Sequence, residues 1–443
     1  MFNFFPKMQL SKIKSILFCA VTLPLVSFAA DKALLETLVQ KNVINAEEAA
    51  TVLKNHSAVG SVAPRGTTEK LRFYGAAQTQ YHFINVSDAH SDISRTSNGF
   101  QLRRVFLGAY ADLGNGMSGV IDLDLCAGVI SNAPFLNAVF FSKKIDEDYL
   151  NGTAYLGYLK VNFAIEEYHS AIRLLSVDRS IITRYFTIEQ RAGSGNVGFG
   201  SAYTGLYWNG RTTFLNSLGY GFAVTNSQNY TIRPHTSDAY GNSVNIWADI
   251  YYDGKFKLDE EDFTWRLGVN AGYGNQANTK LNSANSYGEI WGVNPYVKLN
   301  WNHFTLWSEL VMTGIENGRA SGTQNATPFG VNVWLEKTFD LGDWGRAGPI
   351  LRYSYLNTDG RGARVSDCLA GAANIDASGD TALNLYDTAQ SFSAGINWYL
   401  LGHNLKVQAA YEWAQFDGCV AHSSVSSKRA DANIFRIQLQ VIF

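Results

Sequence analysis

Apolar and polar residues alternate with a period of two along most of the chain, up to its C-terminus. The last run shows the pattern most clearly, because Phe435, Ile437 and Leu439 fall on one face and Arg436 and Gln438 on the other. Successive side chains of a β-strand point to opposite faces, so each such run predicts a strand with one apolar and one polar face. Sixteen strands are predicted, near residues 70–85, 100–113, 118–127, 136–144, 153–163, 199–208, 211–225, 243–256, 262–274, 286–300, 303–315, 328–339, 347–357, 388–400, 405–416 and 432–443.

The connections between the predicted strands alternate between short turns and long loops. Short turns are predicted at Gly114-Asn115-Gly116, Asn209-Gly210, Trp301-Asn302 and Gly402-His403-Asn404. Long loops are predicted over 86–99, 164–198, 226–242, 275–285, 316–327, 358–387 and 417–431. An even number of strands with this alternation is typical of outer-membrane barrels, whose apolar face contacts lipid and whose polar face lines a lumen. We therefore predict an all-β fold, a 16-stranded antiparallel transmembrane β-barrel over residues 70–443, with room for a water-filled lumen.

The composition agrees with this fold and excludes other classes of protein. Hydrophobic residues make up 46% of the chain but its mean hydropathy is only −0.10, so apolar residues are interleaved rather than gathered into the apolar runs of a helical transporter. An aromatic share of 13% excludes a disordered chain, and a net charge of −2 excludes a strongly basic nucleic-acid-binding protein. Trp208, Trp301, Trp398 and Tyr399 lie beside predicted turns, which predicts aromatic girdles at the membrane interfaces.

The N-terminus has the pattern of a secretory signal peptide. Lys7, Lys12 and Lys14 precede an apolar run over residues 16–26, and Ser27-Phe28-Ala29 follows with small residues at its first and third places. The run is too short to span a membrane, because a spanning helix needs about 20 apolar residues. Residues 1–29 are therefore predicted to be a cleaved signal peptide.

The residues between the signal peptide and the barrel predict a different kind of structure. In residues 30–56, apolar positions recur at helical spacing, and Asn45 with Glu48 forms a capping-box pattern, so a short helical hairpin is predicted. Residues 57–69 contain Gly, Pro and Ser and are predicted to be a linker. The hairpin is placed in the periplasm, where it either has no role of its own or contacts the barrel mouth or another subunit.

The polar faces of the predicted strands carry charges of both signs into the lumen. With the apolar face outward, the basic wall residues are Arg72, Arg104, Lys160, Arg266, Lys298, Arg352, Lys406 and Arg436. The acidic wall residues are Asp122, Asp124, Asp249, Glu309, Glu336 and Glu412. Eight basic against six acidic residues predicts at most a mild anion preference, and the alternative is that these charges only keep the lumen hydrated.

The predicted loop 164–198 is unusual because it carries a cluster of aliphatic residues, including Ile172, Leu174, Leu175 and Ile181. We expect this loop to fold into the barrel, pack on the wall and narrow the pore. Its arginines would then attract anions and bind carboxylate or phosphate with two hydrogen bonds, unless Arg–Glu pairs only fasten the loop to the wall. The candidate pore or anion-contacting residues are Arg104, Lys160, Arg173, Arg179, Arg184, Arg266 and Arg352.

Three short stretches, together with Gly205-Leu206 and Gly210, carry a resemblance to a known family. They are Phe100-Gln101-Leu102-Arg103-Arg104, Gly157–Glu166 and Asp178-Arg179-Ser180. They resemble the double-arginine strand opening, the G-x-x-K-x-P-F-G-x-E stretch and the E-R-S triplet of the phosphate-selective porin O/P family. Asn162, Ala164 and Asp178 stand where that family has Pro, Gly and Glu. The resemblance implies a sixteen-stranded, homotrimeric outer-membrane porin.

The sequence contains no G-x-S-x-G, H-E-x-x-H, P-loop or C-x-x-C motif, and its eight histidines are scattered. No enzymatic activity, cofactor or metal site is therefore predicted. Two alternatives stay open at this stage. A barrel esterase or lipase could assemble its catalytic triad in space, and a surface adhesin or structural barrel would suit the long loop 358–387.

One disulfide is predicted, between Cys368 and Cys419. These cysteines lie in neighbouring long loops on the same external side, in a compartment that permits disulfides. Cys126 lies on a predicted strand and is expected to stay unpaired.

The function predicted from the sequence is passive diffusion of small hydrophilic solutes through an outer-membrane porin with a mild anion preference. The alternative is a channel specific for phosphate or another oxyanion. The expected location is the outer membrane of a Gram-negative bacterium. Expected partners are outer-membrane lipid, small solutes or anions, other copies in a homotrimer and the barrel-assembly machinery, which would recognise the C-terminal Phe443. No nucleic-acid partner is expected.

Overall fold

The computed structural model describes residues 70–88, 94–126, 136–147, 150–187, 195–212, 215, 217–227, 244–277, 287–370, 385–420 and 429–443. The predicted signal peptide, helical hairpin and linker all lie outside these ranges. The chain divides into two compact units, Met1–Leu71 and Arg72–Phe443, and the second of them holds the barrel. Within the described ranges, no helix has both the length and the apolar character that a membrane span requires.

The described residues form one closed antiparallel sheet. Its strands are β1 Lys70–Asp88, β2 Ser94–Gly114, β3 Met117–Asp124, β4 Leu136–Glu147, β5 Leu150–Lys160, β6 Ala202–Arg211, β7 Leu218–Asn226, β8 Val244–Leu258, β9 Glu261–Ala277, β10 Tyr287–Trp301, β11 Phe304–Ile315, β12 Phe329–Lys337, β13 Phe339–Asp340, β14 Arg346–Asn357, β15 Tyr386–His403, β16 Leu405–Cys419 and β17 Arg429–Ile442. Because β12 and β13 are two parts of one strand that both pair with β14, the barrel has sixteen strands, as predicted. It closes where β1 pairs with β17, from Ala76 opposite Ile442 to Asp88 opposite Ala430.

The two faces of the strands differ as the alternation predicted. In β8, Ile246 and Ile250 are exposed on the outer face, whereas Asn245, Trp247 and Asp249 are buried on the inner face. The last strand follows the same rule, with an apolar outer row and a buried inner row of Arg436, Gln438 and Gln440. The closed sheet therefore has an apolar exterior and a largely polar interior.

Short turns connect the strands at one end of the barrel, which we call the short-turn end. The β8–β9 turn consists of Asp259 and Glu260, with φ of 50° and 65°, and the β10–β11 turn of Asn302 and His303, with φ of 42° and 59°. Two consecutive positive φ values match the right-handed twist of the flanking strands, and this match permits such tight hairpins.

One predicted turn was wrong. Asn209 and Gly210 lie inside β6, and the chain reverses after Arg211 instead. Gly210 is needed here for space, because a Cβ atom at this position would lie 2.7 Å from the Asn151 carbonyl oxygen and 2.9 Å from the indole nitrogen of Trp208. The glycine therefore permits the close approach of the neighbouring strand and of a tryptophan ring, and it does not mark a turn.

Two further predictions need correction at the strand ends. β2 begins at Ser94 and β1 continues to Asp88, so most of the predicted loop 86–99 is strand. The ring of Tyr399 points into the barrel, where its hydroxyl donates to Glu336 Oε1 at 2.8 Å, so this tyrosine does not belong to an outer girdle. Trp398 does lie near the short-turn end, where its indole donates to the Trp344 carbonyl at 2.8 Å.

Candidate functional site

Residues 161–187, which we call the inner segment, follow β5. They contain helix α1 Ile165–Tyr168, a 3-10 turn at Ala171–Arg173 and helix α2 Ile181–Thr187. Ala164 has a φ of 55°, a left-handed conformation that redirects the chain at the end of the strand. Of the aliphatic residues noted in the sequence, Leu174, Leu175 and Ile181 are buried and Ile172 is partly buried. Ile181 and Ile182 belong to one apolar cluster with Trp247 of β8.

The polar wall binds the irregular backbone of the inner segment. A buried carbonyl without a hydrogen-bond partner is costly, so a non-repetitive segment inside a barrel needs side-chain donors. Seven wall residues donate to its carbonyl oxygens. They are Lys160 to Glu167 at 2.8 Å, Gln78 to Ala171 at 3.3 Å, Gln440 to Ile172 at 3.0 Å, Lys406 to Leu174 at 3.0 Å, Gln408 and Asn397 to Leu175 at 2.9 and 2.8 Å, and Arg352 to Asp178 at 2.7 Å.

Asp178 is the first of three buried carboxylates that fasten the inner segment. Arg103 donates to it with two hydrogen bonds of 3.0 and 3.1 Å, and Arg104 Nη2 lies 3.9 Å from Oδ1. Burial alone would raise the pKa of Asp178, but these two arginines outweigh it and hold the pKa well below its usual value. The inner segment is thus clamped to β2 by a charged pair.

The period-two pattern missed Arg103. Leu102 and Leu107 are both exposed on the outer face although they are five positions apart, so the alternation shifts by one residue between them. This irregularity places both Arg103 and Arg104 on Asp178. The consecutive arginines were the signal in the sequence, because strict alternation allows only one of them to point inward.

Glu166 is the second buried carboxylate, and it connects two parts of the inner segment, helix α1 and the start of helix α2. Its Oε2 accepts hydrogen bonds from the Ser180 amide at 2.9 Å, the Ser180 hydroxyl at 2.6 Å and the Thr183 hydroxyl at 2.6 Å. The wall residue Glu309 accepts a hydrogen bond from the Ile165 amide at 2.8 Å. These contacts fix α1 against the start of α2.

Glu167, the third carboxylate, pairs with two of the predicted site residues. Lys160 Nζ lies 2.6 Å from Oε1, and Arg179 Nε lies 2.6 Å from Oε2. Ser201 also donates to Oε1 at 2.9 Å. Burial opposes ionisation of Glu167, but Arg179 and Lys160 lower its pKa below the usual value.

A buried ion triad lies on strands β14, β16 and β17 of the wall. Glu412 accepts from Arg352 at 2.7 Å and from Arg436 at 3.0 Å. Another donor of each arginine binds a backbone carbonyl inside the barrel, that of Asp178 for Arg352 and that of Ala370 for Arg436. The guanidinium end of the predicted site residue Arg352 is therefore held within the protein, although its Nε has no hydrogen-bond partner among the described residues.

The other predicted site residues are placed differently. Arg173 is exposed at the end of the 3-10 turn, and Arg184 is partly buried in α2, where its Nε has no hydrogen-bond partner among the described residues. Arg266 pairs with Asp253 at 2.6 Å. The seven predicted residues therefore do not form one cluster.

A cavity of about 350 Å³ lies between the inner segment and strands β1 to β6. Its charged lining is balanced, with Arg104, Lys160 and Arg179 against Asp122, Asp124 and Glu167. Tyr74, Tyr158 and Tyr168 add aromatic surface. Among the residues that the structure describes, no group of His, Cys, Asp or Glu side chains is arranged to hold a metal ion.

The predicted disulfide stays a prediction. Cys368 is buried at the end of helix α3, Val365–Cys368, but the side chain of Cys419 lies outside the described residues. Cys126 carries a free thiol that is partly exposed.

Neither a family model nor a curated protein matches the chain. Among solved structures, it is similar to the outer-membrane channel DcaP of Acinetobacter baumannii, with 12% identity, 85% of this chain and 99% of that chain covered and a TM-score of 0.48. It is also similar to an anion-selective porin from Comamonas acidovorans, with 12% identity, 84% and 99% coverage and a TM-score of 0.49. A third similar structure is that of OmpF of Salmonella typhi, with 16% identity, 84% of this chain and 98% of that chain covered and a TM-score of 0.47. These similarities concern the barrel fold alone.

Proposed function

We propose that this protein is an outer-membrane porin through which small hydrophilic solutes diffuse passively. The observation that carries the proposal is a closed barrel with an apolar exterior, a polar interior and an inner segment that leaves a charged cavity of about 350 Å³ beside the wall. An apolar exterior of this kind is stable against lipid, and a polar, partly open interior suits hydrated solutes. The inner segment would act as the constriction.

The balance of charge at the cavity supports weak rather than strong ion selectivity. Three cations face three carboxylates there, and Arg179 and Lys160 are already paired with Glu167. An unpaired guanidinium can exchange the hydration of an anion for its own hydrogen bonds, whereas a paired one has fewer donors left for this exchange. We therefore propose small hydrophilic solutes with a mild anion preference, in an outer-membrane homotrimer whose C-terminal Phe443 is recognised during assembly.

The second candidate is an oxyanion-specific channel of the phosphate-selective O/P type. It is favoured by the concentration of Arg103, Arg104, Lys160 and Arg179 around the cavity. It is disfavoured by the carboxylates Asp178 and Glu167, which occupy the same donors.

Single-channel recording in planar lipid bilayers tests both candidates. The porin proposal expects stable conductance in potassium chloride and a reversal potential in a salt gradient that indicates only slightly greater permeability for chloride than for potassium. Millimolar phosphate should leave the chloride current largely unchanged. Strong block by phosphate would favour the oxyanion channel, and the absence of any conductance would contradict both.

A further inference from the structure

Three basic residues form a row across the lumen-facing wall near the short-turn end. Arg211 ends β6, Arg266 lies on β9 and Lys298 lies on β10, and we call these three the basic row. Arg266 is directly opposite Lys298 in the ladder between β9 and β10. Asp253 is directly opposite Arg266 in the ladder between β8 and β9. The row therefore runs over neighbouring strands on one face of the sheet.

The basic row has more positive charge than its carboxylate can neutralise. Asp253 Oδ2 lies 2.6 Å from Arg211 Nη2, and Arg266 donates to the same carboxylate twice, from Nε to Oδ1 at 2.6 Å and from Nη2 to Oδ2 at 2.9 Å, so a single carboxylate serves two guanidinium groups. Lys298 forms no ion pair with any carboxylate in the described part of the chain. Like charges directly opposite each other destabilise a sheet, so the Arg266–Lys298 pair has an energetic cost that a bound anion would remove.

Aromatic rings flank the cations of the basic row. The Arg266 guanidinium carbon lies 4.0 Å from the centre of the Tyr251 ring, and Lys298 Nζ lies 4.6 Å from the centre of a Trp307 ring. The side chains of Arg211 and Arg266 are 42% and 33% exposed and Lys298 is partly exposed, so the row is accessible from the lumen. A ligand that reached it would meet positive charge and flat apolar surface together.

His169 of the inner segment completes this surface without adding charge. Both of its ring nitrogens lie 3.4 Å from Lys298 Nζ, and its ring packs edge-on against Trp307 with centroids 4.4 Å apart. Burial, followed by the neighbouring Lys298, Arg266 and Arg173, lowers the pKa of His169 to about 3. The imidazole is therefore neutral and can hold the Lys298 ammonium in place by accepting a hydrogen bond.

We propose that the basic row is a binding site for a small organic anion that carries a carboxylate on an aromatic or apolar body. The carboxylate would bridge Lys298 and Arg266, and the body would lie against Trp307 and His169. Such a site would concentrate these solutes on one side of the constriction. This inference rests on the proposed channel function and names a class of solute for it.

Block of the chloride current in planar bilayers tests the site, with benzoate, acetate and phosphate as probes. We expect benzoate to reach half-block at a concentration at least about fivefold lower than acetate or phosphate, because only benzoate offers both charge and an aromatic ring. Lys298→Gln should weaken the benzoate block about tenfold, since a hydrogen bond between charged groups is lost. Lys298→Arg should retain most of it. The matched control is Lys257→Gln, an exposed lysine in the β8–β9 hairpin, which should leave the block unchanged.

The outcomes separate failure of the site from failure of the channel. If native protein and Lys298→Gln conduct chloride equally but benzoate blocks both alike, the site is wrong and the channel stands. If phosphate blocks better than benzoate, the row responds to charge alone and the organic ligand class is wrong. If the native protein does not conduct, the channel proposal fails. Calorimetric titration of the detergent-solubilised native and Lys298→Gln proteins with benzoate then tests the binding site independently of conductance. Equal benzoate affinities of the two proteins would contradict the proposed site.

Discussion

Two places in the barrel each combine one carboxylate with two arginines, but one of them is buried and the other is exposed to the lumen. In the buried triad, Glu412 lies between Arg352 and Arg436, and in the basic row, Asp253 lies between Arg211 and Arg266. Ion-pair distances are between 2.6 and 3.0 Å in both.

What differs is exposure and the use of the remaining donors. The side chains of Arg352, Glu412 and Arg436 are 2%, 5% and 5% exposed, and both arginines also bind backbone carbonyls inside the barrel. The basic row is open to the lumen, and the uncompensated Lys298 lies next to it. The same two residue types thus fasten the interior in one place and are available to solutes in the other.

Glu412→Gln should have the largest effect, because it leaves Arg352 and Arg436 buried without a full counter-charge. Removing one partner of a buried ion pair costs about 3–5 kcal/mol of folding free energy. Urea unfolding of the detergent-solubilised barrel, followed by its gel mobility, measures the loss. Asp253→Asn is the matched control, because Asp253 lies between Arg211 and Arg266 where solvent screens the charges and the median contribution of an ion pair is about 0–1 kcal/mol. Equal destabilisation by the two variants would show that burial does not distinguish the triads.

The sequence predicted the barrel well because alternation is a local property. A strand between lipid and a lumen must repeat every two residues, so β17 and β15 could be located from their own residues. The burial of Ile181 and Ile182 agrees with the aliphatic cluster noted in the loop. The shift of register after Leu102 was not visible, because one extra residue in a strand leaves no compositional trace.

The roles of the charged residues could be predicted only in part, because partner choice depends on distant strands. Arg352 and Glu412 are 60 positions apart, and no local pattern indicates that they meet. Arg179 and Glu167 are close in the chain, and a structural Arg–Glu pair was one of the two interpretations open for them. No sequence pattern distinguishes Lys298, which lacks a carboxylate partner among the described residues, from Lys406, which is buried against the Leu174 carbonyl.

Removing the ion pair between Arg103 and Asp178 should have the next largest effect on stability. The pH dependence of the unfolding free energy tests this pair. Asp178 has a pKa below that of an unfolded aspartate, so its ionised form stabilises the fold above the unfolded value of about 3.9 and loses this effect as the pH falls through the lowered value. The difference in unfolding free energy between native protein and Asp178→Asn should therefore be about 3 kcal/mol, at the low end for a buried ion pair because Arg103 is 19% exposed, and constant from pH 8 to about 5. It should shrink only below about pH 4. A difference that shrinks between pH 7 and 5 would contradict the clamp.

Ser180→Ala should loosen the inner segment with a smaller loss of stability. The hydroxyl donates to Glu166 at 2.6 Å and accepts from Asn332 at 2.5 Å, so its removal leaves buried polar groups unsatisfied at a cost of about 1–3 kcal/mol. We expect greater open-channel noise and a larger mean conductance in planar bilayers. Ser321→Ala, at an exposed position in the loop after β11, should behave as the native protein does. A quiet, unchanged channel for Ser180→Ala would mean that the inner segment does not narrow the pore.

The smallest effect is expected from replacing Arg173, and comparison with Arg179 tests whether an exposed arginine influences ion selectivity more than a paired one. Arg173 is exposed in the lumen-side 3-10 turn, so Arg173→Gln should lower the permeability ratio of chloride to potassium by about 1.5- to twofold at 0.1 M salt, where exposed charges act over about 10 Å. Arg179→Gln should change this ratio less, because Arg179 is already neutralised by Glu167 at 2.6 Å, and it should instead reduce stability. Reversal potentials and unfolding midpoints of the two variants measure both effects. If Arg179→Gln changed the permeability ratio more than Arg173→Gln, pairing with a carboxylate would not determine how strongly an arginine attracts anions.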